Sequence, residues 1–162
     1  MTLEIEVREE IEARPTICVR DKVARKEIER RLTALIPRLH DSLQANDLTA
    51  AGRPYARYHN FGPVERVNVD LEVGLPLTSH ATIEGEGTIL AGRLPGGSAV
   101  VAHYEGPYAG IDKAYDALQA WIEERGYEAA AAPWESYLDD LQEAASEGVW
   151  RVDLVWPIKE GD

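Results

Sequence analysis

The sequence predicts an α+β fold built as a tandem strand-helix-strand-strand duplication. Three observations carry this: stretches of period-two alternation, two amphipathic helical stretches, and a shared offset that maps one half of the chain onto the other. Such a unit must cover one face of its sheet with its helix. The expected arrangement is a largely antiparallel sheet with two helices on one face and a ligand cleft on the other.

The elements follow in order. Leu3, Ile5 and Val7 alternate with Glu4, Glu6 and Arg8, the pattern of a half-buried strand. Arg14–Arg20 reads as a second strand. The period then changes: Ile28, Leu32, Leu35, Ile36, Leu39 and Leu43 recur at spacings of three and four, one face of a helix. Pro37 falls inside this helix and should kink or divide it, because it lacks the N–H and crowds the preceding turn. RPYARYHNF (53–61) and VNVDLEVGLPL (67–77) read as strands, and the polar, glycine-containing stretch 78–88 as the connector between halves.

In the second half TILAGRL and SAVVAHY read as strands of a hairpin joined by Pro95-Gly96-Gly97. Ile111, Ala114, Tyr115, Leu118 and Ile122 mark a helical face, with Gly126 as its C-terminal cap. PWESYLDD and WRVDLVWPI are the last two strands.

The halves, about 1–77 and 84–159, match in spacing as well as order. Pro54-Tyr55-Ala56-Arg57-Tyr58 lies 79 residues before Pro133-Trp134-Glu135-Ser136-Tyr137, and the same offset carries Leu32 onto Ile111, Ile36 onto Tyr115, Leu39 onto Leu118 and Leu43 onto Ile122. Two copies make a pseudo-symmetric single domain, 1–162, rather than a solenoid.

Composition narrows the function. The 162-residue chain carries a net charge of −12, which argues against nucleic acid as a direct partner and against anionic membrane surfaces. Cys18 is the one cysteine, set in the apolar run TICVR, so a buried inert thiol is expected. No apolar run reaches the ~18–20 residues of a membrane span and MTLEIEVREE is no signal peptide, so a cytoplasmic location is the default. His40, His59, His80 and His103 are scattered, with no metal-ligand spacing, and no nucleophile triad or phosphate loop is present. Neither a metal nor a cofactor is expected.

The candidate site comes from strand alternation. Glu135 and Tyr137 share one face of their strand, and Trp134, Ser136 and Leu138 the other. Taking the apolar set to meet the helices places Glu135, Tyr137 and Asp153 on the open face. Their equivalents are Tyr58 for Tyr137 and Glu72 for Asp153, while Ala56 stands where Glu135 does. Trp134 joins the ligand-binding candidates as an aromatic platform. Each residue also has a structural reading. Glu135 could be a solvated surface carboxylate, Tyr58 and Tyr137 half-buried sheet aromatics, Asp153 a partner of Arg151, and Trp134 and Trp156 core. Tyr104 and Tyr108 either reach the cleft mouth or pack.

HYEGPY (103–108), the helix DKAYDALQAWIEERGYE, PWESY and VDLVWPI, in that order, resemble the GyrI-like (gyrase-inhibitor-like) effector-binding domains of bacteria, found alone and attached to multidrug-responsive transcription regulators. The resemblance covers nearly the whole chain. It implies an aromatic-lined cleft with an acidic residue for lipophilic, often cationic small molecules. It maps that residue onto Glu135, the following tyrosine onto Tyr137, and a last-strand acid, commonly Glu, onto Asp153. With no DNA-binding module ahead of the domain, the chain is expected to be of the standalone type. Some standalone members resemble hydrolases that open strained cyclopropane-bearing genotoxins, which would make Glu135 a catalytic general base with Tyr137 or Tyr58 donating. Others bind proteins such as gyrase, and the acidic surface would suit a basic protein partner.

Overall fold

The structure, a computed structural model, describes residues 2–60, 69–80 and 88–159. Phe61, Val67 and Asn68 of the predicted strands, and residues 81–87 of the predicted connector, lie outside the described residues. The elements are β1 (Thr2–Ile11), β2 (Arg14–Val23), α1 (Ile28–Ala45), β3 (Tyr55–Tyr58), β4 (Val69–Pro76), β5 (Ile89–Leu94), β6 (Gly97–Gly106), α2 (Ile111–Glu124), β7 (Trp134–Tyr137), α3 (Leu141–Glu147) and β8 (Trp150–Pro157).

The chain forms two compact units. One, Ala13–Pro95, is an antiparallel sheet in the order β3-β4-β2-β5, with α1 packed on β4 and β2. The other joins Met1–Glu12 to Gly96–Asp162 and has the antiparallel order β7-β8-β6-β1, with α2 packed on β6. The two orders are equivalent strand for strand, so the duplication inferred from spacing is present in the topology.

The predicted hairpin across Pro95-Gly96-Gly97 is corrected. β5 pairs with β2, and β6 pairs with β1 and β8. Gly97 takes φ 104°, as the turn signal required, but a turn signal marks only where the chain changes direction. The strands on either side belong to different units. Each unit therefore borrows one strand, β1 or β5, from the other half of the sequence.

The helices keep the predicted faces. α1 buries Ile28, Leu32, Leu35, Ile36, Leu39 and Leu43, and α2 buries Ile111, Ala114, Tyr115, Leu118 and Ile122. Each large aliphatic side chain so removed from water contributes roughly 1.5–3 kcal/mol before conformational entropy is counted. α1 runs through Pro37 as one helix, because the apolar face on both sides of the proline is held by the sheet. Gly126, at φ 77°, ends α2 as predicted, with Tyr127 N donating to Ile122 O.

α3 was not expected; PWESYLDD read as a strand throughout. β7 stops at Tyr137, and Asp140 caps α3 by accepting from the amides of Gln142 and Glu143. Gly148, at φ 74°, closes it.

Candidate functional site

In the unit containing β7, the register fixes the faces. Tyr137 lies opposite Val152, Glu135 opposite Leu154 and Ser136 opposite Asp153. Directly opposed residues share a face. Glu135 and Tyr137 therefore lie with Val152, Leu154, Trp150 and Trp156. Tyr115 of α2 meets Trp156 edge-on, with ring centroids 6.2 Å apart, so this is the helix-covered face. Two sequence expectations are corrected by this: Glu135 and Tyr137 are not on the open face, and Asp153 does not share a face with them. Apolarity could not decide the orientation of β7, because Trp134, Glu135 and Tyr137 are all buried, the glutamate 1% exposed.

A chain of aromatic side chains leads away from Glu135. The Tyr137 hydroxyl donates to Glu135 Oε2 at 2.5 Å. Trp150 meets the Tyr137 ring edge-on at 6.0 Å and 73°, and Tyr108, from the 3₁₀ turn ahead of α2, lies 4.8 Å from Trp150. Burial, followed by the Glu135 charge, holds the Tyr137 hydroxyl well above the usual tyrosine range. Tyr137 thus stays a neutral donor and Glu135 an acceptor. A carboxylate taken so far from water needs such donors or a bound cation to offset its lost hydration.

The other predicted residues fall elsewhere. Asp153 lies on the face away from α2 and takes Nδ1 of His103 at 2.6 Å, not Arg151, whose guanidinium pairs with Asp139. Trp134, opposite Val155, is on that same face and buried. Tyr104 is 2% exposed on the helix side of β6, opposite Val152, and its hydroxyl donates to the Pro107 carbonyl.

In the unit 13–95, Tyr58 lies opposite Leu71 and Arg57 opposite Glu72, so Tyr58 and Glu72 are on opposite faces and do not line one trough. Tyr58 and Ala56 share the side of Leu71 and Val73, the apolar face that suits α1. Glu72 instead anchors a buried polar cluster. The Tyr55 hydroxyl donates to it, Thr16 Oγ1 lies 3.1 Å from that hydroxyl, and His59 Nε2 is 2.7 Å from the second carboxylate oxygen. Gly74 makes room for this: a Cβ there would come within 2.5 Å of the Tyr55 hydroxyl and 2.6 Å of the Ile17 carbonyl. Cys18 is buried beside the cluster; burial, then the Glu72 charge, pushes its thiol up to about 12, the inert state expected from its setting.

Sequence reasoning missed Trp150, Tyr55, Thr16 and His59. The alternation of β8 already placed Trp150 with Val152 and Leu154, but only the β7–β8 register brings it to Tyr137. Among the described residues no three His, Cys, Asp or Glu side chains are grouped to hold a metal ion. A surface groove of about 500 Å³ lies elsewhere, lined by Lys22, Glu27, Arg30 and Arg31 with Val23, Ala24 and Ala34. Its mainly cationic wall suits neither a cation nor an apolar compound.

A buried carboxylate beside aromatic side chains combines the apolar surface and placed polar group that small-molecule sites use. A family profile described as "GyrI-like small molecule binding domain" matches residues 6–159, and the chain belongs to that family. Among solved structures, the EcmrR C-terminal domain is similar at TM-score 0.82 and 24% identity, covering 99% of this chain and 100% of that one. EcmrR in its DNA complex within EcmrR-RPo is similar at TM-score 0.83 and 23% identity, with 98% of this chain covered; the match spans 58% of the EcmrR chain. SAV2435 bound to tetraphenylphosphonium is similar at TM-score 0.57 and 10% identity, with 98% and 94% covered. These likenesses establish the fold. No curated protein matches the chain.

Proposed function

We propose that this domain binds lipophilic aromatic compounds, organic cations foremost, for sensing or sequestration of xenobiotics of the multidrug type. Glu135 supplies the counter-charge, and Tyr137, Tyr108 and Trp150 supply the aromatic surround. The observation that carries this reading is a carboxylate 1% exposed that accepts from the Tyr137 hydroxyl, with the Tyr137 ring in turn packed on Trp150 and Trp150 on Tyr108. A cation facing such rings gains from both the charge and the ring quadrupoles. The tetraphenylphosphonium complex of SAV2435 is a fold relative with a ligand of this chemistry. In this reading Trp134, Tyr58 and Tyr104 are framework aromatics, and Glu72 and Asp153 belong to the polar clusters described above. No helix among the described residues is long and apolar enough to cross a membrane. Calorimetric titration of tetraphenylphosphonium into the wild type and Glu135→Gln tests the reading; equal affinities would refute it.

A second reading rests on the same pair. A carboxylate with a tyrosine hydroxyl 2.5 Å away offers a general base beside a proton donor, as hydrolysis of a strained electrophile by activated water would need. Turnover of a cyclopropane-bearing alkylating compound by the wild type and not by Glu135→Ala would establish it; equal rates would remove it.

A further inference from the structure

β1 is the edge strand of its unit and pairs with β6 alone among the described strands. Along the chain, β1 ends just before the sequence passes from Glu12 of one unit to Ala13 of the other. On the face away from α2, its Glu6 carboxylate reaches over to β6. His103 of β6 places Nδ1 2.6 Å from Asp153 Oδ1 of β8 and Nε2 3.4 Å from Glu6 Oε2. Both ring nitrogens thus face carboxylate oxygens, which accept and cannot donate when ionised. A neutral imidazole carries a single N–H, so only the imidazolium satisfies both sides.

We propose that His103 is a protonated clasp that ties edge strand β1 to β8 across β6 and lets go when the ring loses its proton as the pH rises. The charged groups around it favour this state. Glu4 lies directly opposite His103 on β1, and Glu105 follows two residues along β6. Arg8 holds Glu6 at 2.7 Å, and Arg151, two residues before Asp153 on β8, is engaged by Asp139. Ser136 of β7, opposite Asp153, adds no charge. Desolvation pulls the His103 pKa down, but the hydrogen bond and charge of Asp153, and then those of Glu6, outweigh it and leave it raised.

A histidine whose pKa is raised on folding stabilises the protein fully below its unfolded value of about 6.5. That stabilisation is lost as the pH rises through the folded value. The bridging lengths rank the two acids: Asp153 is the stronger anchor and Glu6 the weaker.

The test is an NMR titration of the His103 ring, assigned in the full chain, in the wild type, Glu6→Gln and Asp153→Asn, together with thermal unfolding at pH 6 and 8.5. The expected wild-type midpoint lies above about 6.5. It should fall in Glu6→Gln and fall further in Asp153→Asn. The wild type should lose more thermal stability than His103→Gln between the two pH values. A wild-type midpoint at or below about 6.5, or one that does not move in Glu6→Gln, overturns the clasp. Glu6 is half exposed, so Glu6→Gln keeps the test decisive if either of the other variants fails to fold.

Discussion

Replacing Glu135 by Gln keeps the shape of the site and removes its charge. A cation seated against the aromatic wall would lie about 5 Å from the carboxylate. At an effective dielectric near 20, a unit pair at that distance is worth roughly 3 kcal/mol. Partial compensation by the Tyr137 hydroxyl brings the expected loss to about 2–3 kcal/mol, or roughly 30- to 150-fold in Kd. Calorimetry with tetraphenylphosphonium reads this directly. A neutral triaryl compound, such as triphenylphosphine oxide, should bind both proteins with affinities within about threefold, a difference below 1 kcal/mol. The reasoning fails if the cation binds Glu135→Gln as tightly as the wild type, or if the neutral compound loses as much as the cation does.

Three other outcomes follow from the geometry. Tyr137→Phe removes the hydroxyl held 2.5 Å from Glu135; the lost charge-assisted bond should lower stability by about 1.5–3 kcal/mol, visible as a reduced urea midpoint, whereas no change would show that the bond contributes nothing. Gly74→Ala would drive a methyl into the Tyr55 hydroxyl and the Ile17 carbonyl at 2.5–2.6 Å, and the thermal midpoint should drop by roughly 4–10 °C for a domain of this size; an unchanged midpoint would mean that Tyr55 relocates freely. Cys18, buried and pushed up to about 12, should ignore a thiol reagent at pH 8 in the native protein and react once per chain in denaturant; rapid native labelling would contradict its placement.

The repeated β-α-β-β order could be read from the sequence because burial writes its period directly into the residues. Leu32, Leu39 and Leu43 and their counterparts Ile111, Leu118 and Ile122 lie on matching faces of α1 and α2. The partners of β1 and β5 were not legible. Adjacent strands with a turn between them read as a hairpin, yet β5 pairs with the distant β2 and β6 with the distant β1, and no local signal distinguishes the two cases. The faces of the site were lost for a related reason. Alternation relates Glu135 to Tyr137 within β7, but relating either to Asp153 requires the register with β8, and β7 is buried on both sides. Only one signal was present and passed over: Asp140 and Glu143 three residues on, followed by Gly148, is the start and stop of a short helix. The glutamate itself, absent from the equivalent Ala56, stood out from the sequence as an addition to a symmetric framework. Its burial beside Tyr137 is what the structure adds.

The role proposed for Glu135 is to face a bound cation beside the Tyr137 ring. A crystal structure of the chain with tetraphenylphosphonium measures this most directly. The account predicts phosphorus within about 6 Å of the Glu135 carboxylate, with phenyl rings against Tyr137, Tyr108 or Trp150, the range over which ring and charge contacts operate. A phosphonium seated elsewhere, with Glu135 still bonded to Tyr137, would contradict that role.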